Sequence, residues 1–172
     1  MKILFSEEEI DARVAQLGAE LTTDYQGHDL LIVGVLNGSV IFLADLTRRV
    51  TLAHELGFVQ ASSYRGEATE AGSLQLQVES LPPVEGRDVL LLDDIFDTGN
   101  TLARLSEVIA SRKPKTLKTA VLLWKQGRAE VTLEPDYFGF KIPDEFVVGY
   151  GLDYNDRYRH LPHIAVWQGN AD

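Results

Sequence analysis

Three carboxylates follow a short apolar run in the second half of the chain, and they are the side chains best suited to chemistry. Residues 89–92 are continuously apolar, as in a strand buried on both faces of a parallel sheet. Asp93 and Asp94 come next, then Asp97, and residues 98–101 lead into a segment with helical spacing. Acids at the carboxyl end of a central strand, followed by a glycine-bearing turn at a helix start, are typical of a ligand site in α/β folds.

The composition is that of an ordinary globular protein. With 172 residues, 45% of them hydrophobic, the chain fits one domain with a real core. The absence of cysteine excludes disulfides, thiolate metal sites and cysteine nucleophiles. The N-terminus lacks the features of a signal peptide, and no apolar run approaches the roughly 18 residues of a membrane span. We therefore expect a cytoplasmic protein that has no contact with a membrane.

The net charge of −10 argues against a broad nucleic-acid surface, which requires clustered Lys and Arg. It also bears on any phosphate ligand, because the overall field repels an anion. Local hydrogen-bond donors and metal ions must then reverse the sign of the potential at the site. We expect backbone N–H groups and a divalent cation there, not a basic patch.

Apolar runs alternate with helical patterns along the chain, which predicts an α/β domain with a mainly parallel sheet. Ser6 and Glu9 have the spacing of a capping box, and a helix is predicted from there to about residue 23. A second helix is predicted over 40–50 and a third over 101–111. Strands are predicted over 30–36, 58–64, 74–78, 89–92, 119–124, 137–140, 146–148 and 164–167.

Two segments carry a resemblance to a known family. Residues 89–102 resemble the phosphoribosyl pyrophosphate signature of the type I phosphoribosyltransferases, and residues 143–154 resemble the purine-pocket segment of the hypoxanthine-guanine phosphoribosyltransferases. Residues 36–39 and 63–64 fall where that family keeps its pyrophosphate loop and its mobile lid. The resemblance implies a single domain over 1–172. Its central parallel sheet would be flanked by helices, with a hairpin lid at about 63–78 and a small hood made from the two terminal segments.

The resemblance also implies an activity in purine salvage. The enzyme would transfer the phosphoribosyl group from phosphoribosyl pyrophosphate to N9 of hypoxanthine or guanine, with xanthine as a further candidate. The products would be IMP or GMP and pyrophosphate, and the reaction would depend on Mg²⁺. The preference among the three bases, regulation by a nucleotide effector, and the choice between a homodimer and a homotetramer stay open.

The resemblance assigns a role to each residue of the donor site. Asp97 would act as general base at the purine N7, and Asp93 and Asp94 would face the ribose hydroxyls directly or through Mg²⁺. Asp153 would bind a second Mg²⁺. The other donor-site residues are the 5′-phosphate cradle (Thr98, Gly99, Asn100, Thr101), the pyrophosphate contacts (Leu36, Asn37, Gly38, Arg159) and the lid (Ser63, Tyr64).

Three residues would bind the base. Lys125 would donate to the purine O6, which disfavours a 6-amino purine because an ammonium has only donors. Phe146 would stack on the ring at roughly 1–3 kcal/mol per base, and the Val147 backbone would read the ring edge. Many relatives carry Lys where this chain has Asn37, and often Glu where it has Asp93.

Each role has a simpler alternative. Asp97 could be the N-cap of an ordinary helix, Lys125 a solvated residue, Phe146 a core aromatic, and Asp153 and Arg159 members of surface ion pairs. The hairpin could be a plain flexible arm. For the whole chain, the alternatives are transfer to another base, an RNA-binding regulator on the same fold, or a phosphorylated receiver domain. The excess of acidic residues argues against an RNA-binding regulator. The position of Asp93 and Asp94, past the middle of the chain, argues against a receiver domain.

Overall fold

The structure is a computed structural model that describes residues 1–63 and 74–169. The predicted lid residue Tyr64 lies outside this part of the chain. In chain order the helices and strands are β1 (Lys2–Phe5), α1 (Glu7–Asp24), β2 (Leu30–Leu36), α2 (Val40–Arg49), β3 (Glu55–Ser63), β4 (Leu74–Gln77), β5 (Asp88–Phe96), α3 (Asn100–Ala110), β6 (Thr116–Lys125), β7 (Tyr137–Ile142), β8 (Val147–Val148) and β9 (Ile164–Val166).

The main sheet is mostly parallel, as the alternation of strands and helices predicts. Its order is β4-β3-β2-β5-β6-β7, and every neighbouring pair is parallel except β3 and β4. β4 is an antiparallel edge strand, with Ser63 paired opposite Leu74. The two strands thus form the hairpin arm that the sequence predicts.

The strands at the centre of the sheet are covered on both faces, which explains their continuous apolar runs. Leu90 and Ile32 pack against α1 and α2 on one face. Their neighbours Leu91 and Leu31 belong to the core beneath α3 on the other. Successive side chains of a strand point to opposite faces, so each apolar run supplies both cores.

The first helix begins with the predicted capping box. The Ser6 hydroxyl accepts a hydrogen bond from the Glu9 N–H, and the Glu9 carboxylate accepts one from the Ser6 N–H. These bonds satisfy two of the N–H groups left unpaired at a helix start. The apolar face formed by Ile10, Val14 and Leu17 is buried against the sheet.

A second, three-stranded sheet joins the two ends of the chain in the antiparallel order β1-β9-β8. The sequence predicts β8 and β9 but misses β1. The segments are those expected to form a hood, and the division of the chain into one domain with a lid and a hood stays a prediction. Among the described residues, no helix is long and apolar enough to cross a membrane.

The central strand is longer than expected. The prediction ends β5 at residue 92, before the acids, but the strand continues through Asp93 and Asp94 to Phe96. Its register with β6 explains the extension, because Asp93 pairs opposite Val121 and Phe96 opposite Trp124. Both acids therefore stand on a rigid strand rather than on a turn, which fixes their positions more closely.

Candidate active site

The predicted site residues gather at the carboxyl edge of the main sheet. β2, β5 and β6 are parallel, so their last residues meet at the same edge. A cavity of about 320 Å³ opens there, called the acidic cavity below. The predicted residues that line it are Leu36, Asn37, Gly38, Asp93, Asp94, Asp97, Thr98, Gly99, Thr101, Asp153 and Arg159.

A smaller cavity of about 200 Å³ adjoins the first and is called the lysine cavity. Asp94, Asp97 and Asp153 line both, so the two spaces share a wall of carboxylates. The remaining lining residues of the lysine cavity are Ile95, Lys125, Phe146, Val147 and Leu152. The two groups of predicted residues, one for the donor and one for the base, therefore lie side by side.

Asp93 and Asp94 are adjacent carboxylates, the first buried and the second half-buried. Asp93 is only 8% exposed. Burial, reinforced by the charge of Asp94, raises the pKa of Asp93 well above its usual value, and burial also raises the pKa of Asp94. The Asp94 N–H donates to Asp93 Oδ1 at 2.9 Å, and the Ile95 N–H donates to Asp94 Oδ1 at 2.8 Å. Such a pair favours the uptake of a cation.

Beside these acids lies the turn after β2. The Leu36–Asn37 peptide is cis. Gly38 approaches Asp94 so closely that a Cβ at position 38 would lie 1.9 Å from Asp94 Oδ2. Glycine is therefore required at this position while the carboxylate keeps its place. The turn leads into α2 through the buried Ser39, whose hydroxyl donates to the Val35 carbonyl.

Asp97 does not cap the helix that follows it, so the alternative interpretation of this residue is wrong. The N-cap of α3 is Gly99, with φ +84°, and no side chain caps it. Asp97 instead accepts from Lys125 Nζ at 3.0 Å and from Arg128 Nε at 2.9 Å. Partial burial alone would raise the pKa of Asp97, but these two cations outweigh burial and hold it below its usual value.

The helix start beside Asp97 is a potential anion site. Gly99 adopts a left-handed conformation, and a Cβ there would collide with Phe96 and Val131. The first N–H groups of α3 have no partners within the helix. Of the four predicted cradle residues, Asn100 does not line the cavity, and its side-chain amide donates to Glu130 at 2.7 Å.

Lys125 is buried at the end of β6, with 7% of its surface exposed, so its alternative interpretation as a solvated residue is wrong. Its ammonium lies 3.0 Å from Asp97 Oδ2 and 3.5 Å from Asp144 Oδ1. Two carboxylates thus compensate a charge that would be costly to bury alone. Lys125 lines the lysine cavity.

The side of the lysine cavity is aromatic. Phe146 is 51% exposed, which excludes its interpretation as a core residue. Its ring meets Tyr154 edge-on, and Tyr154 stacks on Trp167 with ring centroids 4.7 Å apart. The backbone N–H of Trp167 donates to the Phe146 carbonyl at 2.8 Å. Val147 is buried beside Phe146 and pairs with Val166.

Asp153 and Arg159, which both line the acidic cavity, pair with each other. Arg159 Nη2 lies 2.8 Å from Asp153 Oδ1, and Nη1 donates to the Gly151 carbonyl at 2.7 Å. Both charged groups are about one-third exposed. The ion pair given as the alternative interpretation is therefore present. Because both residues line the cavity, their predicted contacts with Mg²⁺ and pyrophosphate stay predictions.

Two charged residues that contact the predicted site, Arg128 and Asp144, have no role in the prediction from sequence. Arg128 follows β6 by three residues, and Asp144 follows β7, so only the sheet order brings them together. Their signal in the sequence is weak, since a charged residue in a connection is usually solvated. Ser63 ends β3, and Tyr64 lies outside the described residues.

Residues 2–155 match the model of the phosphoribosyl transferase domain family. The chain belongs to this family. The type I phosphoribosyltransferase resemblance identified from residues 89–102 is confirmed, since those residues lie within the match.

Known phosphoribosyltransferases resemble the chain over almost its whole length. Hypoxanthine phosphoribosyltransferase of Escherichia coli (strain K12) is 44% identical over 167 residues, 96% of this chain and 94% of that protein. Hypoxanthine-guanine phosphoribosyltransferase of Bacillus subtilis (strain 168) is 44% identical over 165 residues, 96% of this chain and 92% of that one. A crystal structure of a hypoxanthine phosphoribosyltransferase from Staphylococcus aureus superposes with a TM-score of 0.89 at 43% identity, covering 96% and 90% of the two chains. The predicted fold is confirmed.

Proposed function

We propose that this chain transfers the phosphoribosyl group of phosphoribosyl pyrophosphate to N9 of hypoxanthine or guanine, with xanthine as a further candidate. The products are IMP or GMP and pyrophosphate, which makes the chain an enzyme of purine salvage. The names of its relatives support the reaction. The observation that carries the proposal is the pair of adjoining cavities, one acidic and one with a buried lysine, that share Asp94, Asp97 and Asp153.

The acidic cavity suits the donor. We assign the 5′-phosphate to residues 98–101, where glycine and the N–H groups at the start of α3 favour an anion. Pyrophosphate is assigned to the backbone N–H groups of residues 36–38 and to Arg159. Asp93 and Asp94 face the ribose hydroxyls. Ser63 and Tyr64 are assigned to a lid that excludes water, which would otherwise compete for the activated sugar.

Magnesium suits the same cavity. No cluster of three or more metal-ligating side chains occurs among residues 1–63 and 74–169. Mg²⁺ rarely uses such a cluster, because it keeps several waters and binds through one or two carboxylates and the substrate phosphates. Asp93 and Asp94 would hold one ion and Asp153 a second. Bound there, Mg²⁺ would neutralise the charge of the leaving pyrophosphate.

The lysine cavity suits a 6-oxopurine. The Lys125 ammonium has only N–H donors, so it can donate to the O6 of hypoxanthine or guanine and disfavours the amino group of adenine. We assign stacking on the base to the exposed ring of Phe146 and recognition of the ring edge to the Val147 backbone, and both residues line this cavity. Transfer to another base is the enzymatic alternative, and Lys125 argues against adenine.

Asp97 is proposed as the general base. The lone pair of N9 forms the bond to C1′ of the ribose, and the bond from C1′ to the pyrophosphate oxygen breaks with its electrons on pyrophosphate. Asp97 takes the N7 proton, and the N–H electron pair returns to the purine ring. A positioned base contributes about 10²–10⁴-fold, so alignment and charge stabilisation must supply the rest.

A pyrophosphate-release assay with the donor, Mg²⁺ and each of four purines tests the proposal. We expect turnover with hypoxanthine or guanine and none with adenine. Asp97→Asn should retain donor binding and lose about 10²-fold or more in kcat. Donor that fails to bind in the presence of Mg²⁺ would remove the enzyme hypothesis. Unchanged turnover in Asp97→Asn would remove only the role of Asp97.

The non-catalytic alternative is an RNA-binding regulator on this fold. Its phosphate contacts would need a basic face, whereas the chain carries a net charge of −10. Salt-dependent binding of RNA, with no pyrophosphate release, is the result that would favour it. The predicted absence of nucleic acid and membrane partners, and the predicted cytoplasmic location, stay predictions.

Assembly into a homodimer or homotetramer is also proposed. Leu56 and Phe58 are 38% and 41% exposed at alternate positions of β3, which places both side chains on one face of that strand. A second copy of the chain would cover them. Light scattering coupled to size-exclusion chromatography should show that Phe58→Glu shifts the enzyme toward the monomer. Ile3→Glu, at an exposed apolar residue of the other sheet, is the control. A monomeric wild-type protein would contradict the assembly.

A further inference from the structure

Four charged side chains form a closed ring that includes Asp97, which lines both cavities, and Lys125, which lines the lysine cavity. Lys125 and Arg128 each contact both Asp97 and Asp144, so positive and negative groups alternate. The distances are 3.0 and 2.9 Å to Asp97, and 3.5 and 3.4 Å to Asp144. The ring is electrically neutral, and both oxygens of Asp97 have a cationic partner.

The two cations hold different oxygens of Asp97. Lys125 Nζ contacts Oδ2, and Arg128 Nε contacts Oδ1. A base that binds Lys125 through its 6-oxo group would compete with Oδ2 for the ammonium. Arg128 would keep its contact with Oδ1, because the guanidinium belongs to the following connection and not to the cavity lining.

The segment after β6 is itself anchored to the helix start. The Glu130 N–H donates to the Thr98 carbonyl at 2.9 Å, and the Glu130 carboxylate accepts from the Asn100 amide at 2.7 Å. A Cβ at Gly99 would come within 2.5 Å of a methyl group of Val131. Residues 128–131 therefore lie directly along residues 97–100, which limits how far Arg128 can move relative to Asp97.

We infer that Arg128 is a positioning residue for the proposed reaction. It holds Oδ1 of Asp97, so that Oδ2 faces the N7 proton once the purine O6 has drawn the Lys125 ammonium away from Oδ2. Asp144 keeps the guanidinium in place from the other side. This inference rests on the proposed function. Proton transfer then uses only Oδ2, and the proton on N7 moves to that oxygen as N9 bonds to C1′.

The test compares Arg128→Gln with the wild type by steady-state kinetics at saturating donor. We expect kcat to fall about tenfold, since misplacement of a reacting group is costly, while the KM for the donor stays within about twofold. Arg128→Lys, which retains a charge but not the planar fork, should recover part of the loss. Arg104→Gln is the matched control, because Arg104 is an exposed residue of α3 whose charged partner among residues 1–63 and 74–169 is Glu107.

A double-mutant cycle separates positioning from a general structural effect. If Arg128 acts through Asp97, adding Arg128→Gln to Asp97→Asn should cost nothing further in kcat. Additive losses, or an Arg128→Gln enzyme with kcat within twofold of wild type, would overturn the inference. Asp144→Asn, which removes the second partner of the guanidinium, should give a smaller loss in the same direction.

The pH dependence gives a readout that a loss of folding would not move. Arg128 helps to hold the pKa of Asp97 low, so its removal should shift the acidic limb of the kcat profile to higher pH. An unshifted limb in Arg128→Gln would also contradict the inference. A wild-type protein without turnover on any purine would instead defeat the proposed function, so the two failures are distinguishable.

Discussion

Gly38 and Asp94 approach each other so closely that any side chain at position 38 would have to displace the Asp94 carboxylate. A Cβ there would lie 1.9 Å from Asp94 Oδ2 and 2.7 Å from its carboxyl carbon. The contact joins the turn after β2 to the end of β5, which are the two elements that we assign to pyrophosphate and to ribose. The position of the carboxylate therefore depends on the absence of one methyl group.

Gly38→Ala should impair the donor site more than the fold. The methyl group must displace the Asp94 carboxylate, so we expect kcat/KM for the donor to fall by about tenfold or more. Gly86→Ala is the control, because Gly86 has φ +76° and a Cβ there would meet no atom of the described residues within 4 Å. It should cost about 1 kcal/mol of stability from backbone strain and leave the kinetics unchanged. Equal kinetics in the two variants would contradict the role of this contact.

Lys125→Met should lose affinity for the base while retaining the donor. The ammonium is the buried donor of the lysine cavity, and the methionine side chain supplies neither charge nor hydrogen bond. We expect kcat/KM for hypoxanthine to fall by about 10- to 100-fold, in line with about 1.5–3 kcal/mol for a hydrogen bond to a charged group. Preference over adenine should weaken as well.

Lys141→Met is a matched control for that substitution. Lys141 is an exposed residue of β7 whose ammonium lies 4.4 Å from the centre of the Trp124 ring. It should change stability by about 0.5–1 kcal/mol and leave base selectivity intact. Retention of full selectivity in Lys125→Met would assign O6 recognition to another group.

The sequence predicts those parts of the fold whose signal is local. The apolar runs at β2 and β5, and the capping box at Ser6, each lie within one element and are recovered by the structure. β1 is missed because it has four residues and its partner, β9, begins at Ile164. A local sequence pattern does not predict a pairing between strands so far apart in the chain.

The end of β5 illustrates a different limit. Carboxylates are rare in strands, so Asp93 was expected to follow the strand. Pairing with β6 keeps the backbone extended through Phe96 and overrides that propensity. Arg128 and Asp144 show the same limit at the site, since only the adjacency of β6 and β7 brings their connections together.

Trp167 should report on base binding. Its ring stacks on Tyr154, which in turn meets the edge of Phe146, the residue proposed to stack on the purine. Trp124→Phe would leave Trp167 as the single tryptophan. We expect its fluorescence to change when IMP is added, and Phe146→Leu to weaken IMP binding by about 5- to 100-fold. Phe140→Leu, at a half-buried residue of β7 that stacks on Phe5, is the control. A Trp167 signal that IMP does not alter would contradict this placement of the base.

Asp88, which lies outside the proposed site, should make the free energy of unfolding depend on pH. Burial alone would raise the pKa of Asp88, but the hydrogen bond from the Thr116 hydroxyl and the charges of Lys115 and His28 hold it below its usual value. Because the pKa of Asp88 is lower in the folded state than its unfolded value of about 3.9, the ionised carboxylate stabilises the fold above that pH. This stabilisation is lost as the pH falls through the lower, folded-state pKa.

Asp88→Asn should therefore reduce the free energy of unfolding by about 2 kcal/mol at pH 7, because it removes a charged acceptor from a buried hydrogen bond. The difference between variant and wild type should shrink as the pH falls toward 3. Urea denaturation at several pH values measures both effects. Asp11→Asn, which removes an exposed ion pair with Arg49, should change stability by less than about 1 kcal/mol. Parallel stability curves for Asp88→Asn and the wild type would show that the ionisation of Asp88 does not contribute to folding.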